Sequence, residues 1–115
     1  MTLAAADVTY ILLRPNPYRE GEKKKFTAMT QQAGRCWVDF GSTQHRAKRA
    51  LTERLGLFTP DNRLTTTEIS VGLGVREEMV RSMAALGRLE RDGRREQAVL
   101  HTPESVWREA LRRAR

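Results

Sequence analysis

The residues best placed to do chemistry in this chain of 115 residues lie in the stretch TEISVGLGVREEMVRSMAALGRLERDG, from Thr67 to Gly93. A short apolar segment and a longer amphipathic one are joined at Gly74, which can take a positive φ without steric cost. This pattern predicts two helices joined by a tight turn. Side chains at the start of the second helix can reach base edges in a DNA major groove, where arginine pairs with guanine and a carboxylate accepts from cytosine. The predicted base-reading residues are Arg76, Glu77, Arg81 and Ser82.

The balance of charge favours a polyanionic partner. The formal net charge is +7 and the sequence pI is near 10.5, and clustered basic side chains displace counterions from a phosphate backbone. Residues 65–101 carry six basic and six acidic groups, so the excess lies in the flanks. The predicted phosphate contacts are Lys23, Lys24, Lys25, Arg46, Lys48, Arg49, Arg94 and Arg95.

Other kinds of site have little support in the sequence. The single cysteine, Cys36, fits a reducing compartment and a buried position. His45 and His101 are far apart and have no second cysteine, so we expect neither a metal site nor a cofactor. No nucleophile–base pattern and no phosphate-cradling glycine loop predicts an enzyme. No apolar run approaches the roughly 20 residues that span a bilayer, so we expect a cytoplasmic protein without a membrane partner.

The N-terminal part of the chain fits two kinds of structure. VTYILL, at 8–13, fits a strand, and residues 3–13 fit one short helix equally well. The segment from Glu22 to Gln32 is predicted to be a helix that Gly34 ends, with Phe26 and Met29 on one face. CWVDF, at 36–40, is predicted to be a strand or a packed turn.

Cap residues predict two further helices. Ser42 or Thr43 can cap one, with Ala47, Ala50, Leu51 and Leu55 at helical spacing. Leu57 and Phe58 are then expected to return to the core before a turn at 59–62. Thr102-Pro103-Glu104 is a strong start for the last helix, whose apolar stripe is Val106, Trp107, Ala110 and Leu111.

Asp92-Gly93 is a favoured dipeptide for a tight hairpin turn. The residues that follow it, RREQAVLH at 94–101, end in an apolar, strand-like run. A hairpin with arginines near its tip is therefore expected next to the second helix of the opening stretch.

Two motifs carry a resemblance over about residues 43–101. They are E-I-S-x-x-L-G-V-x-x-x-x-V, from Glu68 to Val80, and L-x-x-L-E-x-D-G, from Leu86 to Gly93. This region resembles the winged helix-turn-helix superfamily of bacterial regulators. The resemblance implies that 43–56 is the first of three helices, 66–73 the second, 76–90 the recognition helix and 94–101 a wing strand. The chain departs from the usual pattern at 77–78, where two glutamates replace basic or hydroxylated residues.

The expected fold class is therefore mainly α with a small β component, namely a winged helix-turn-helix with an N-terminal extension and a C-terminal helix. Residues 1–42 form the extension packed on the core, residues 43–101 the winged helix-turn-helix, and residues 102–115 the C-terminal helix.

The leading hypothesis for function is a sequence-specific regulator that binds double-stranded DNA, most simply a repressor. We expect a homodimer, which doubles the recognised site, joined through Trp107 and Leu111 or through the N-terminal segment. The alternative is a small adaptor or inhibitor of phage or plasmid type that docks on a protein partner, which the acids at 77–78 favour. A third possibility, RNA or single-stranded DNA at the basic N-terminal half, lacks the exposed aromatic residues that stacking needs.

Overall fold

The computed structural model of the protein describes residues 3–4, 7–15 and 25–115. Of these residues 39% are helical and 30% lie in strands, arranged as four helices and two small antiparallel sheets. The protein therefore has an α+β fold, and the prediction of a mainly α fold with a small β component was wrong. The extra β structure comes chiefly from the N-terminal part of the chain.

The elements follow one another in the order β1 (Thr9–Leu12), β2 (Phe26–Gln32), β3 (Arg35–Gly41), α1 (Gln44–Leu55), β4 (Leu64–Thr65), α2 (Thr66–Leu73), α3 (Glu77–Ala85), β5 (Arg91–Arg95), β6 (Ala98–His101) and α4 (Pro103–Arg112).

Strands β1, β2 and β3 form an antiparallel meander. The helix predicted from Glu22 to Gln32 is wrong for its described part, because that part is β2; residues 22–24 lie outside the described residues. Gly34 does not end a helix. It follows Ala33 in a hairpin turn in which both residues have positive φ, 52° and 73°, as a type I′ turn requires.

Both faces of the meander are buried, and residues alternate between them as strand geometry demands. On one face Trp37 and Ala28 join a cluster with Ala47 and Leu51 of α1. On the other face Val38 joins a larger cluster that also contains side chains from α2, α3 and α4. The meander is therefore the middle layer of the molecule.

The position of α1 differs from what the resemblance implied. Thr43 caps α1 as expected, accepting a hydrogen bond from the Arg46 amide. However, its buried residues, Ala47 and Leu51, pack on the far face of the meander, away from the cluster around α2 and α3. Instead, α4 shares that cluster with α2 and α3 through Val106 and Ala110.

The predicted recognition helix is shorter than expected, since α3 ends at Ala85 rather than near residue 90. Gly87 has a φ of 77°, and the Arg88 amide donates to the Met83 carbonyl at 2.9 Å. This 6→1 hydrogen bond is typical of a helix that ends with a glycine in the left-handed region.

The second sheet has the strand order β4-β6-β5. Its hairpin turns at residues 96–97, where Glu96 has a φ of 56°, so the turn predicted at Asp92-Gly93 was misplaced. Gly93, with a φ of 80°, lies at an irregularity between Arg91 and Arg94 that shifts the register. A glycine in such a bulge avoids the strain that a Cβ would add.

The C-terminal helix agrees with its prediction. Thr102 caps α4 and Pro103 occupies its first turn. Beyond the helix, Ala114 forms a β-bridge with Leu13, and the Arg115 amide donates to the Leu12 carbonyl at 3.0 Å. The end of α4 is therefore joined to the edge of the meander.

Candidate nucleic-acid interface

The unit α2–turn–α3 is built from local signals. Thr65 and Glu68 form a capping box at the start of α2, and Gly74 ends the helix in the left-handed region, at φ 70° and ψ 33°. The Ser70 hydroxyl donates to the Val75 carbonyl at 2.6 Å and so ties the turn to the preceding helix. The predicted bounds of α2, 66–73, are confirmed.

The inner face of α3 is anchored in the larger core cluster. Val80 and Met83 are 0% and 2% exposed, and Ile69 and Val75 pack in the same cluster from α2 and the turn. This packing fixes which side of α3 faces outward, because a helix buried along one stripe must present the opposite side.

Three of the predicted base-reading residues lie on α3, and the fourth, Arg76, is its N-cap residue. Arg76, Arg81 and Ser82 are exposed, and Glu77 is half-buried. Arg81 pairs with Glu77 across one helical turn at 3.2 Å, and its side chain remains 59% exposed. Glu77 also accepts a hydrogen bond from the Thr67 hydroxyl at 2.7 Å, which links the first turns of α2 and α3.

The outer surface of α3 is also partly apolar. Met79 is 48% exposed and Leu86, which follows the helix, is 74% exposed. Of the three apolar side chains Met79, Met83 and Leu86, only Met83 is buried in the core. These exposed apolar side chains are available to a partner of any class.

The hairpin β5–β6 carries Arg94 and Arg95, both exposed. Arg95 donates to the Asp61 carboxylate at 2.6 Å, and Arg63 binds the same carboxylate through two nitrogens, each at 3.0 Å. Desolvation opposes the ionisation of Asp61, but the hydrogen bonds from Arg63 and Arg95 outweigh it and lower the pKa of Asp61. Arg95 is thus held in place, whereas Arg94 lies in solvent.

The predicted phosphate contacts on α1 lie in a different layer from α3. Arg46 and Arg49 are exposed and Lys48 is half-buried; Arg49 pairs with Glu53 at 3.3 Å. Because α1 covers one face of the meander and α2, α3 and α4 share the cluster on the other, the structure does not bring this group together with the arginines of α3.

The predicted lysine cluster is only partly described. Lys23 and Lys24 lie outside the described residues. Lys25 is half-buried, and its ammonium group donates to the Val71 carbonyl at 2.8 Å. Lys25 therefore holds the start of β2 to α2.

The two predicted dimer residues differ in accessibility. Trp107 is half-buried and packs against the larger core cluster, so most of its ring serves the monomer. Leu111 is 53% exposed and can contact another molecule.

Sequence reasoning missed the role of Arg54, whose side chain is 10% exposed. It donates to Asp39 at 3.1 Å, to the Glu68 carboxylate, and to the carbonyls of Asp61 and Arg63 at 3.2 and 3.3 Å. Burial alone would lower the pKa of Arg54, but Asp39 and Glu68 raise it. The helical spacing of α1 carries no sign of this role, because the partners come from three distant segments.

The expectation that Leu57 and Phe58 return to the core was wrong. They are 56% and 101% exposed, in the loop between α1 and β4. The signal that could have shown this is the turn sequence beginning at Thr59, which follows too closely for the chain to re-enter the core.

Three further observations bear on the kinds of site present. Cys36 is buried as predicted, and burial raises the pKa of its thiol to about 11. Within the described residues, no three histidine, cysteine or acidic side chains are grouped so that they could hold a metal ion. In the same part of the chain, no helix has the length and hydropathy needed to cross a membrane.

In comparisons with known proteins, no family model, curated protein or solved structure matches the chain.

Proposed function

We propose that the protein is a regulator that binds double-stranded DNA, most simply a repressor that occludes a promoter, and that α3 enters the major groove. The observation that carries this proposal is the pose of α3. Its inner face is fixed in the core through Val80 and Met83, and its first turns leave Arg76 and Arg81 uncovered. An anchored helix with exposed arginines near its N-terminus has the geometry of direct base readout.

The order of elements around α3 supports the same proposal. A short strand, two helices joined at Gly74, and an arginine-bearing hairpin with the strand order β4-β6-β5 follow one another. This order supports the resemblance to winged helix-turn-helix proteins for residues 64–101, with α4 as the third helix of the unit. Arg94, exposed on β5, then supplies a contact to phosphate.

The test is selection of bound duplexes from a random pool, followed by binding measurements on the selected site. Arg81→Ala should reduce discrimination at one base pair by about 1–3 kcal/mol. Arg108→Ala, which removes an exposed arginine of α4, is the charge-matched control and should leave base preference unchanged. Failure of the wild-type protein to give any salt-sensitive duplex binding would overturn the proposal.

A docking module for a protein partner is the second candidate. The observation that favours it is the exposure of Met79 and Leu86 next to Glu77 and Glu78, because an outer helix face that is apolar and acidic suits a protein surface better than phosphate. If the protein is a docking module, the double substitution Met79→Ser and Leu86→Ser should abolish capture of the partner protein. The wild-type protein should then show no binding to duplex DNA at low salt.

We also propose a cytoplasmic homodimer with Leu111 at its interface. Two copies double the recognised site and supply the specificity that one small module lacks. Light scattering coupled to size exclusion tests this directly: Leu111→Asp should give a monomer, and an unchanged mass would exclude this face.

A further inference from the structure

A groove lies between the α1–β4 loop and the hairpin strand β5. Its volume is about 820 Å³, which falls within the range of roughly 300–1,000 Å³ that is usual for ligand sites. It lies outside the outer face of α3, on which the proposed duplex contact depends. Its walls are Arg35, Arg54, Leu57, Phe58, Thr59, Pro60, Asp61, Asn62, Arg63, Asp92 and Arg95.

One wall of the groove is an aromatic ring that the chain leaves fully in solvent. Phe58 is 101% exposed, and its neighbour Leu57 is 56% exposed. Exposing a whole phenylalanine side chain forgoes the free energy that its burial would contribute. A ligand that covers the ring would recover this free energy.

The loop that presents Phe58 is held in place by interior contacts. Arg54 donates to the carbonyls of Asp61 and Arg63 at 3.2 and 3.3 Å, and the Asn62 amide donates to the Cys36 carbonyl at 3.2 Å. Arg63 in turn donates to the Asp92 carbonyl at 2.9 Å. These bonds join the loop to α1, to β3 and to the hairpin, so the loop that carries Phe58 is held in a defined position.

The accessible charge around the ring is positive by a small margin. Arg54 lines the groove but is paired inside the fold with Asp39 and Glu68. This leaves Arg35, Arg63 and Arg95 against the two carboxylates of Asp61 and Asp92. Asp61 orients two of these guanidinium groups, since Arg63 and Arg95 both donate to it. Arg35 is exposed at the start of β3. A planar apolar surface flanked by guanidinium groups matches a ligand that is planar at one end and anionic at the other.

We propose that this groove binds a short single-stranded segment of nucleic acid, with one base stacked on Phe58 and the flanking phosphates held by Arg35 and Arg95. A base in an intact duplex is stacked on both faces and offers none to Phe58, so the ligand must have an unstacked base. Every base has such a face, so stacking of this kind tolerates sequence. The site is separate from the proposed duplex contact on α3 and does not depend on it.

The first test measures binding of a fluorescently labelled oligothymidylate at low salt by anisotropy. Phe58→Ala should weaken binding by about 5- to 100-fold, the range that loss of one base–aromatic stack produces, whereas Phe58→Tyr should keep wild-type affinity. Val71→Ala, which removes another exposed apolar side chain, is the control and should change nothing. Because Phe58 is fully exposed, Phe58→Ala is expected to fold like the wild type, and circular dichroism checks this.

The second test concerns the phosphates. Arg35→Ala should make the dependence of log affinity on log salt shallower by about 0.7, the value for one contact to a single strand. Arg81→Ala should leave oligothymidylate binding untouched even where it changes duplex binding, so that failure of one site is distinguishable from failure of the other.

Three results would overturn the proposal. One is a wild-type protein that does not bind the oligonucleotide, and another is equal binding by the wild type and Phe58→Ala. The third is a wild-type dimer that Phe58→Ala dissociates, which would make the groove a contact between protein chains.

Discussion

Arg54 and Arg81 lie on helices with a glutamate partner, but their surroundings are opposite. The Arg54 side chain is 10% exposed and donates to two carboxylates and two carbonyls. The Arg81 side chain is 59% exposed and pairs with Glu77 one turn earlier on the same helix. The first arginine is needed by the fold, since it is the cation that Asp39 and Glu68 share and the donor to two loop carbonyls. The second can exchange its partner for a ligand at little cost.

The same contrast separates the interior of the molecule from the outer side of α3. In the interior, charged groups join elements that are distant in sequence. On α3, Arg81 pairs with Glu77 and the Ser82 hydroxyl donates to the Glu78 carbonyl, so these polar groups bond within the helix. A contact within one helix stabilises by only about 0.2–0.5 kcal/mol. Stability should therefore respond strongly to changes in the first region and weakly to changes in the second.

The largest effect is expected for Arg54→Met. Removing the guanidinium group leaves Asp39 and Glu68 without their shared cation and two carbonyls without a donor. Breaking a buried ion pair from one side costs about 3–5 kcal/mol, and urea unfolding measures the loss. Arg49→Met is the matched control, because the Arg49–Glu53 pair is about 70% exposed and should be worth less than about 1 kcal/mol. Similar losses for the two variants would contradict the comparison.

A smaller loss is expected for Glu109→Gln. The Glu109 side chain is 1% exposed and binds Arg88, which follows α3, and Arg113 at the end of α4. The glutamine amide keeps the shape of the side chain but loses charge-assisted hydrogen bonds. This loss should lower the free energy of unfolding by about 2 kcal/mol. Glu104→Gln, at an exposed position of the same helix, should cost about 0.3–1 kcal/mol through its effect on the helix dipole. A Glu109 variant as stable as the wild type would show that α4 is held by its apolar side chains alone.

Part of the local structure from Thr43 onward could be predicted from the sequence. Caps at Thr43 and Thr102 and the glycine turn at Gly74 depend on neighbouring residues, and the structure has each of them in its expected role. The fold class could not be predicted in the same way. The apolar spacing of Phe26 and Met29 fits a helix, but residues 26–32 pair with two other strands, and that pairing depends on distant partners.

The candidate site also contains features that depend on neighbouring residues and features that depend on distant ones. The exposure of Arg81 follows from helical periodicity and could be predicted, whereas Arg76 is the N-cap residue before α3 and lies outside that periodicity. The shared role of Arg54, Asp61 and Arg63 could not, because it depends on where the α1–β4 loop lies against the hairpin. Exposure of Phe58 was missed although a local signal, the turn sequence that begins at Thr59, follows it directly.

A pH-dependent loss of stability is expected from His101, the next effect in size. His101 is 1% exposed, between Leu64 and Arg91 in the second sheet. Burial lowers its pKa, the Leu64 carbonyl opposes this shift, and Arg91 adds to it. Below about pH 6.5 the unfolded chain gains the proton first, so stability falls as pH falls, by at most about 1.4 kcal/mol per pH unit.

Unfolding free energies measured between pH 7 and pH 5 check this expectation. His101→Gln should make the pH dependence shallower, whereas His45→Gln, on the exposed side of α1, should leave it as in the wild type. Equal slopes for His101→Gln and the wild type would assign the pH dependence to the carboxylates.

The smallest change in stability, and the most informative change in binding, is expected for Glu77→Gln. Glu77 holds Arg81 at 3.2 Å and Thr67 at 2.7 Å, and its negative charge at the start of α3 repels phosphate. The amide should cost less than about 1 kcal/mol of stability. Duplex affinity should nevertheless rise by about two- to fivefold, because surface repulsion of up to about 1 kcal/mol is removed and Arg81 is released.

Glu53→Gln, which releases Arg49 on α1, should leave duplex affinity unchanged, since α1 lies in the other layer. If both substitutions raise duplex affinity equally, binding depends only on net charge and α3 does not read DNA. If Glu77→Gln instead weakens capture of a protein partner, the outer face of α3 is a docking surface.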